Sequence, residues 1–173
     1  MKEKKVKIII KGEDVNRRIK ELGEKITNDY SGKKPLLISI LKGGGFFLAD
    51  LARSIKLDLM IDYISASSYG EEAKSSGNVR IIKDLSQPIE NKDIILVEDI
   101  IDTGYTLKSI CDMLKTRNPR SIKICVLLDK PSRRKVKITV DYKGFEIPDL
   151  FVVGFGIDFA ERYRNLPYIA YIE

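Results

Sequence analysis

Ile94-Ile95-Leu96-Val97 is an unbroken apolar run, and a further strand candidate, Ser121 to Leu128, apolar throughout from Ile124, follows after a stretch with helical spacing from Thr106 to Arg117. A strand that is apolar at every position has no face to offer water, so it must be covered on both sides. Strand, helix and strand in that order then define an α/β parallel sheet with right-handed crossovers. Upstream, Pro35 opens Leu36-Leu37-Ile38-Ser39-Ile40-Leu41, another short buried strand, and Lys42-Gly43-Gly44-Gly45 ends it.

The remaining elements fit around that sheet. Val15, Ile19, Leu22 and Ile26 recur at spacings of three and four and predict a helix from Glu13 to Asp29. Phe46 to Ile55 is a second helix, and Leu57 to Ser65 alternates as a strand. From Ser67 to Gly77 the apolar pattern stops among glycines and serines, which predicts a loop able to act as a lid. Val79 to Ile82 reads as the returning strand of that long hairpin. Phe151 to Gly154 and Tyr168 to Ile172 are short strand candidates. No repeat or linker divides the chain, so residues 1–173 form one domain.

Composition narrows the chemistry. Histidine is absent, which removes Ser-His-Asp and Cys-His nucleophile schemes and the common histidine zinc sites. Acid–base work must fall to carboxylates, lysine or tyrosine. The 31 basic against 25 acidic residues give +6, compatible with nucleic acid or with a phosphorylated small molecule. The densest basic patches, Lys2 to Lys7 and Arg133 to Lys137, read as solvated surface. Cys111, in a helical pattern, and Cys125, in an apolar run, read as buried free thiols. No signal peptide or spanning helix is expected, and the default compartment is the cytoplasm.

The most unusual polar cluster follows a buried strand, where open α/β sheets collect their ligands. Val97-Glu98-Asp99-Ile100-Ile101-Asp102-Thr103-Gly104-Tyr105-Thr106 places three carboxylates within five residues. Such a group repels itself unless a cation or a set of donors meets it. Thr103-Gly104-Tyr105-Thr106 has the parts of a phosphate cradle: a permissive glycine, hydroxyl donors and a helix N-terminus. Glu98 and Asp99 suit the vicinal hydroxyls of a ribose. Helix capping accounts for one acid at such a position, but not for the constellation.

This run resembles the 5-phosphoribosyl-1-diphosphate signature of type I phosphoribosyltransferases, and its surroundings look like the hypoxanthine-guanine branch. The likeness extends from about Leu36 to Ile172. It implies the type I phosphoribosyltransferase fold: a central, mostly parallel sheet flanked by helices, with a small hood formed by terminal segments and a mobile hairpin loop. It also implies roles. Glu98 and Asp99 would hold the ribose hydroxyls, Asp102 would act on purine N7, and Asp102 to Thr106 would wrap the 5'-phosphate. Lys42 and Gly43 are similar to the diphosphate loop, in which the peptide between the Lys and Gly positions is often cis, and Gly45 stands where many relatives carry an apolar side chain. Ser68 and Tyr69 resemble the mobile loop, whose Glu71, Glu72 and Ala73 depart from the small residues and threonine of bacterial relatives. Lys130 would donate to the purine 6-oxo group, Phe151 would stack on the base, and the Val152 backbone would read its edge. Without the resemblance, Phe151 and Val152 read as core. Asp158, with Glu98 and Asp99, would bind Mg2+, and Arg164 would meet the diphosphate.

Taken whole, the resemblance implies a magnesium-dependent purine-salvage enzyme. It would transfer the phosphoribosyl group to hypoxanthine or guanine, giving IMP or GMP and diphosphate. A homodimer or homotetramer is implied, with no nucleic-acid or membrane partner. A preference for xanthine is a sibling possibility. An RNA-binding regulator that keeps the fold is the rival left open by the charge; against it stand Lys130, Phe151, Val152 and Asp158 together.

Overall fold

The computed structural model describes residues 5–68 and 79–173. In chain order its elements are β1 (Val6–Ile10), α1 (Gly12–Asp29), β2 (Leu36–Leu41), α2 (Gly44–Ser54), β3 (Met60–Ser68), β4 (Val79–Lys83), β5 (Asp93–Ile101), α3 (Tyr105–Lys115), β6 (Ser121–Asp129), β7 (Tyr142–Glu146), β8 (Val152–Val153) and β9 (Ile169–Ile172). A 3-10 turn, Pro131–Arg133, follows β6.

The large sheet runs β4-β3-β2-β5-β6-β7. All its pairs are parallel except β3 with β4. Apolar residues on both faces of the central strands serve two cores, as the pleat requires. Leu36, Ile38, Ile94, Leu96, Ile124 and Val126 pack with Leu107, Ile110 and Leu114 of α3. Leu37, Ile95, Val97, Cys125 and Leu127 pack on the other face with α1 and α2. Burying each large aliphatic side chain contributes about 1.5–3 kcal/mol. Both cysteines are buried and unbridged.

The chain passes from β2 to β3 on one side and later returns to place β5 on the other side of β2. That reversal opens a crevice beyond the carboxyl ends of β2 and β5. A smaller antiparallel sheet, β1-β9-β8, joins the two terminal segments beside it, as the expected hood requires.

Several boundaries differ from those expected. β5 continues through Glu98 and Asp99 to Ile101, still paired with β6 at Ile101↔Asp129, so the acids stand on a strand end and not on a turn after it. Ser68, expected in the loop, pairs with Val79 as the last residue of β3. Tyr69 to Asn78, which carry the rest of the lid expectation, lie outside the described residues. β1 and β7 had no strand assignment. β7 is an edge strand whose glycine and alternating charges weaken its pattern. Its Gly144 lies so close to β6 that a Cβ would sit 2.3 Å from the Leu127 carbonyl oxygen.

Candidate active site

Glycines at the end of β2 make room for the acids of β5. A Cβ on Gly43 would lie 1.7 Å from Asp99 Oδ2, and one on Gly44 would lie 3.1 Å from Glu98 Oε1. Gly45 differs, since its nearest neighbours would be Leu41 Cδ2 at 3.5 Å and Tyr63 Cε1 at 3.9 Å. There is space there for the apolar side chain of the relatives. The cis peptide of this turn is Leu41–Lys42, one bond earlier than the expected position between Lys42 and Gly43.

Burial and the neighbouring Asp99 push Glu98 well above the usual carboxylate range. Asp99 is also raised, by burial, although bonding with Glu98, the Ile100 N–H and the nearby Arg164 guanidinium restrain it. The Asp99 N–H donates to Glu98 Oε1 at 3.1 Å and the Ile100 N–H to Asp99 Oδ1 at 2.7 Å. Two adjacent, largely desolvated carboxylates facing a crevice are a demand for a cation or for hydroxyl donors.

Gly104 then turns the chain into α3 with φ of +87°, a conformation that costs glycine least. Glu98, Ile100, Ile101, Asp102, Thr103, Gly104, Thr106 and Leu107 line a cleft of about 130 Å³ at that helix start. Room for about four waters, N–H groups at the helix N-terminus and two threonines suit one phosphate group. Tyr105, the first residue of α3, is half-buried and is not part of that lining.

Just past the end of β2, Lys42 donates to Glu161 Oε2 at 2.8 Å. Arg164 donates to the Gly156 carbonyl at 2.7 Å and pairs with Asp158 at 2.9 Å and Glu161 at 3.3 Å. The structure therefore brings Lys42, Gly43, Asp99, Asp158 and Arg164 together. Glu161 was not anticipated, because an exposed acid near the chain's end has no distinguishing pattern. Asp158 is occupied on both oxygens, by Arg164 and by the Glu161 N–H at 2.9 Å.

On the base side, Lys130 follows β6, is 7% exposed and donates to the Leu150 carbonyl at 2.5 Å. Phe151 is 57% exposed and touches Phe159 edge-on, with ring centroids 5.5 Å apart. The core assignment read from its residue type is thereby corrected: its ring has an open surface. Val152 is buried in β8 opposite Tyr171. Arg133 and Arg134, taken as part of a solvated basic patch, both have partners: Arg133 stays exposed, as expected, and Arg134 is half-buried. Arg133 Nε meets Asp102 Oδ1 at 3.0 Å, and Arg134 Nε meets the Asp102 carbonyl at 3.1 Å. A run of basic residues carries no sign of such partners; the turn at Pro131 supplies them.

A sheet reversal flanked by a buried acid pair, a helix-start cleft and a basic loop is the arrangement of a phosphoribosyltransferase. The model of the phosphoribosyl transferase domain matches residues 5–160, and the chain belongs to that family. It is 51% identical over 166 residues to the hypoxanthine phosphoribosyltransferase of Buchnera aphidicola, covering 95% of this chain and 94% of the relative. It is 49% identical to the hypoxanthine-guanine phosphoribosyltransferase of Bacillus subtilis, covering 96% and 93%. Among solved structures, the hypoxanthine-guanine phosphoribosyltransferase of Bacillus anthracis superposes with a TM-score of 0.95 at 48% identity, over 99% of this chain and all of that one.

Proposed function

We propose that this phosphoribosyltransferase works in purine salvage, transferring the 5-phosphoribosyl group to hypoxanthine or guanine with release of diphosphate. The observation that carries the base assignment is the buried Lys130 ammonium, fixed at Leu150 beside the exposed Phe151 ring. An ammonium selects a 6-oxo acceptor and has nothing to accept from at the amino group of adenine. The ring offers a face on which a base can stack.

In the reaction, purine N9 bonds to the anomeric carbon as the bond from that carbon to diphosphate breaks. Glu98 and Asp99 hold the ribose hydroxyls, and the Thr103 to Thr106 turn holds the 5'-phosphate. Asp102 exchanges the N7 proton as the base changes charge, and Lys130 stabilises O6. Lys42 and Arg164 exchange their Glu161 contacts for diphosphate oxygens. Magnesium fits the donor set as an ion shared with the substrate, since such sites use one or two carboxylates and substrate oxygens. Glu98 and Asp99 would hold it, Asp158 would help through water, and it would supply neutralisation of the leaving group. By the family resemblance, Ser68 and Tyr69 would help close the site.

The same proposal includes a homodimer or homotetramer, as the family resemblance implies. No described helix is long and apolar enough to cross a membrane, and a cytoplasmic enzyme is the compartment proposed. The test is diphosphate release from 5-phosphoribosyl-1-diphosphate with magnesium and a panel of bases. Hypoxanthine and guanine are expected to react and adenine to be inert. Preference for adenine would overturn the Lys130 assignment.

A further inference from the structure

The segment after Lys130 runs Pro131-Ser132-Arg133-Arg134-Lys135, and its consecutive arginines both reach the same residue. Arg133 takes the Asp102 side chain, with Nε 3.0 Å from Oδ1, and Arg134 takes its main chain, with Nε 3.1 Å from the carbonyl oxygen. The Lys135 N–H adds a bond to the Thr103 carbonyl at 3.0 Å. Each guanidinium also extends a second arm to an acid on the base side. Arg133 Nη1 lies 3.5 Å from Asp149, the residue before the Leu150 carbonyl that holds Lys130. Arg134 Nη2 lies 2.5 Å from Asp129, the residue before Lys130 and itself 6% exposed. The Arg134 side chain also covers the left-handed glycine of the phosphate loop, its Cδ 3.0 Å from where a Gly104 Cβ would be.

We infer that Arg133 and Arg134 are positioning residues that fix Asp102 by side chain and main chain and tie the phosphate loop to the purine wall. This rests on the proposed function, in which Asp102 meets N7. Stability does not account for Arg133. The Arg133 and Asp102 side chains are 48% and 40% exposed, and water screens so open an ion pair enough for it to add little to stability. What the pair supplies is direction. With Oδ1 held, Asp102 Oδ2 has no partner among the described residues and is left for the base. Arg134 makes a different contribution, because only a forked guanidinium spans the Asp102 carbonyl and the Asp129 carboxylate together; an ammonium meets one of them.

Steady-state kinetics of Arg133→Gln, Arg133→Lys and Arg134→Lys, with Arg17→Gln as a remote control, test the inference. Arg133→Gln is expected to lower kcat about ten-fold, part of the 10²–10⁴ attributed to a positioned acid–base group. Its KM for 5-phosphoribosyl-1-diphosphate should stay within about two-fold of wild type. Arg133→Lys should recover most of kcat, since one contact suffices there. Arg134→Lys should lose on the order of 10² in kcat and raise the KM for both substrates, because the loop main chain itself is released. Thermal denaturation of each variant gives the folded fraction. Wild-type constants in Arg133→Gln and Arg134→Lys, or losses that vanish when rates are corrected for that fraction, would overturn the inference. An inactive wild-type enzyme with every 6-oxopurine would instead remove the proposed function on which it stands.

Discussion

The ribose-phosphate side and the base side of the crevice touch through Arg133 and Arg134, yet they are assembled in opposite ways. Glu98 to Thr106 come from one continuous run, and the end of β5, one left-handed glycine and the first turn of α3 fix nearly all of it. The base side gathers Lys130 from the end of β6, Leu150 and Phe151 from a later loop, and Val152 from the other sheet. A local site is shaped by backbone geometry, whereas a dispersed one depends on contacts across the fold. Damage should therefore show as lost chemistry on the first side and as lost discrimination on the second.

The largest effect expected is that of Asp102→Asn, which keeps the shape but cannot take a proton. Turnover should fall by about 10²–10⁴ while the KM for 5-phosphoribosyl-1-diphosphate changes little; unaltered turnover in steady-state assays would break the local half of the comparison. Lys130→Gln comes next. A hydrogen bond to a charged group contributes about 1.5–3 kcal/mol, so the KM for hypoxanthine should rise about 10- to 100-fold and discrimination against adenine should relax. If base affinity and choice both stay as they were, O6 is recognised elsewhere. Phe151→Leu should be milder, about 0.5–1.5 kcal/mol of base affinity, measured by competition between bases. An equal loss in phosphoribosyl-diphosphate binding would show that the two sides are not separable at this ring.

The smallest effect concerns stability. Burial and Asp99 raise the Glu98 carboxyl in the folded protein, so the folded state binds more protons than the unfolded chain at pH values above the ordinary carboxylate range. By linkage the group's contribution is intact below that range and is lost as pH rises toward the raised value. Glu98→Gln removes this loss. Its melting temperature should gain on wild type as pH rises above the ordinary carboxylate range, even as ribose binding weakens; a difference that does not change with pH would mean the acid pair is not under the stated strain.

What was legible in the sequence follows the same division. The strands β2, β5 and β6 announce themselves because burial on both faces demands continuous apolar residues, and the acid run stands out because it follows one of them. β7 did not, since Tyr142-Lys143-Gly144-Phe145-Glu146 lies at the sheet edge where half its residues face water. Arg133 and Arg134 were hidden for a different reason: a cation's partner is set by where the chain turns, and Asp102 is about thirty residues away in sequence. The exposed Phe151 shows the converse, a residue whose type predicts burial and whose position denies it.

The pairing of β8 with β9, and of β9 with β1, has a consequence in time. During synthesis the residues that hold ribose and phosphate are all made once α3 has emerged. Val152, however, has no strand to lie against until Ile169–Ile172 has been translated, so the grip on the base is the last part of the crevice a nascent chain can acquire.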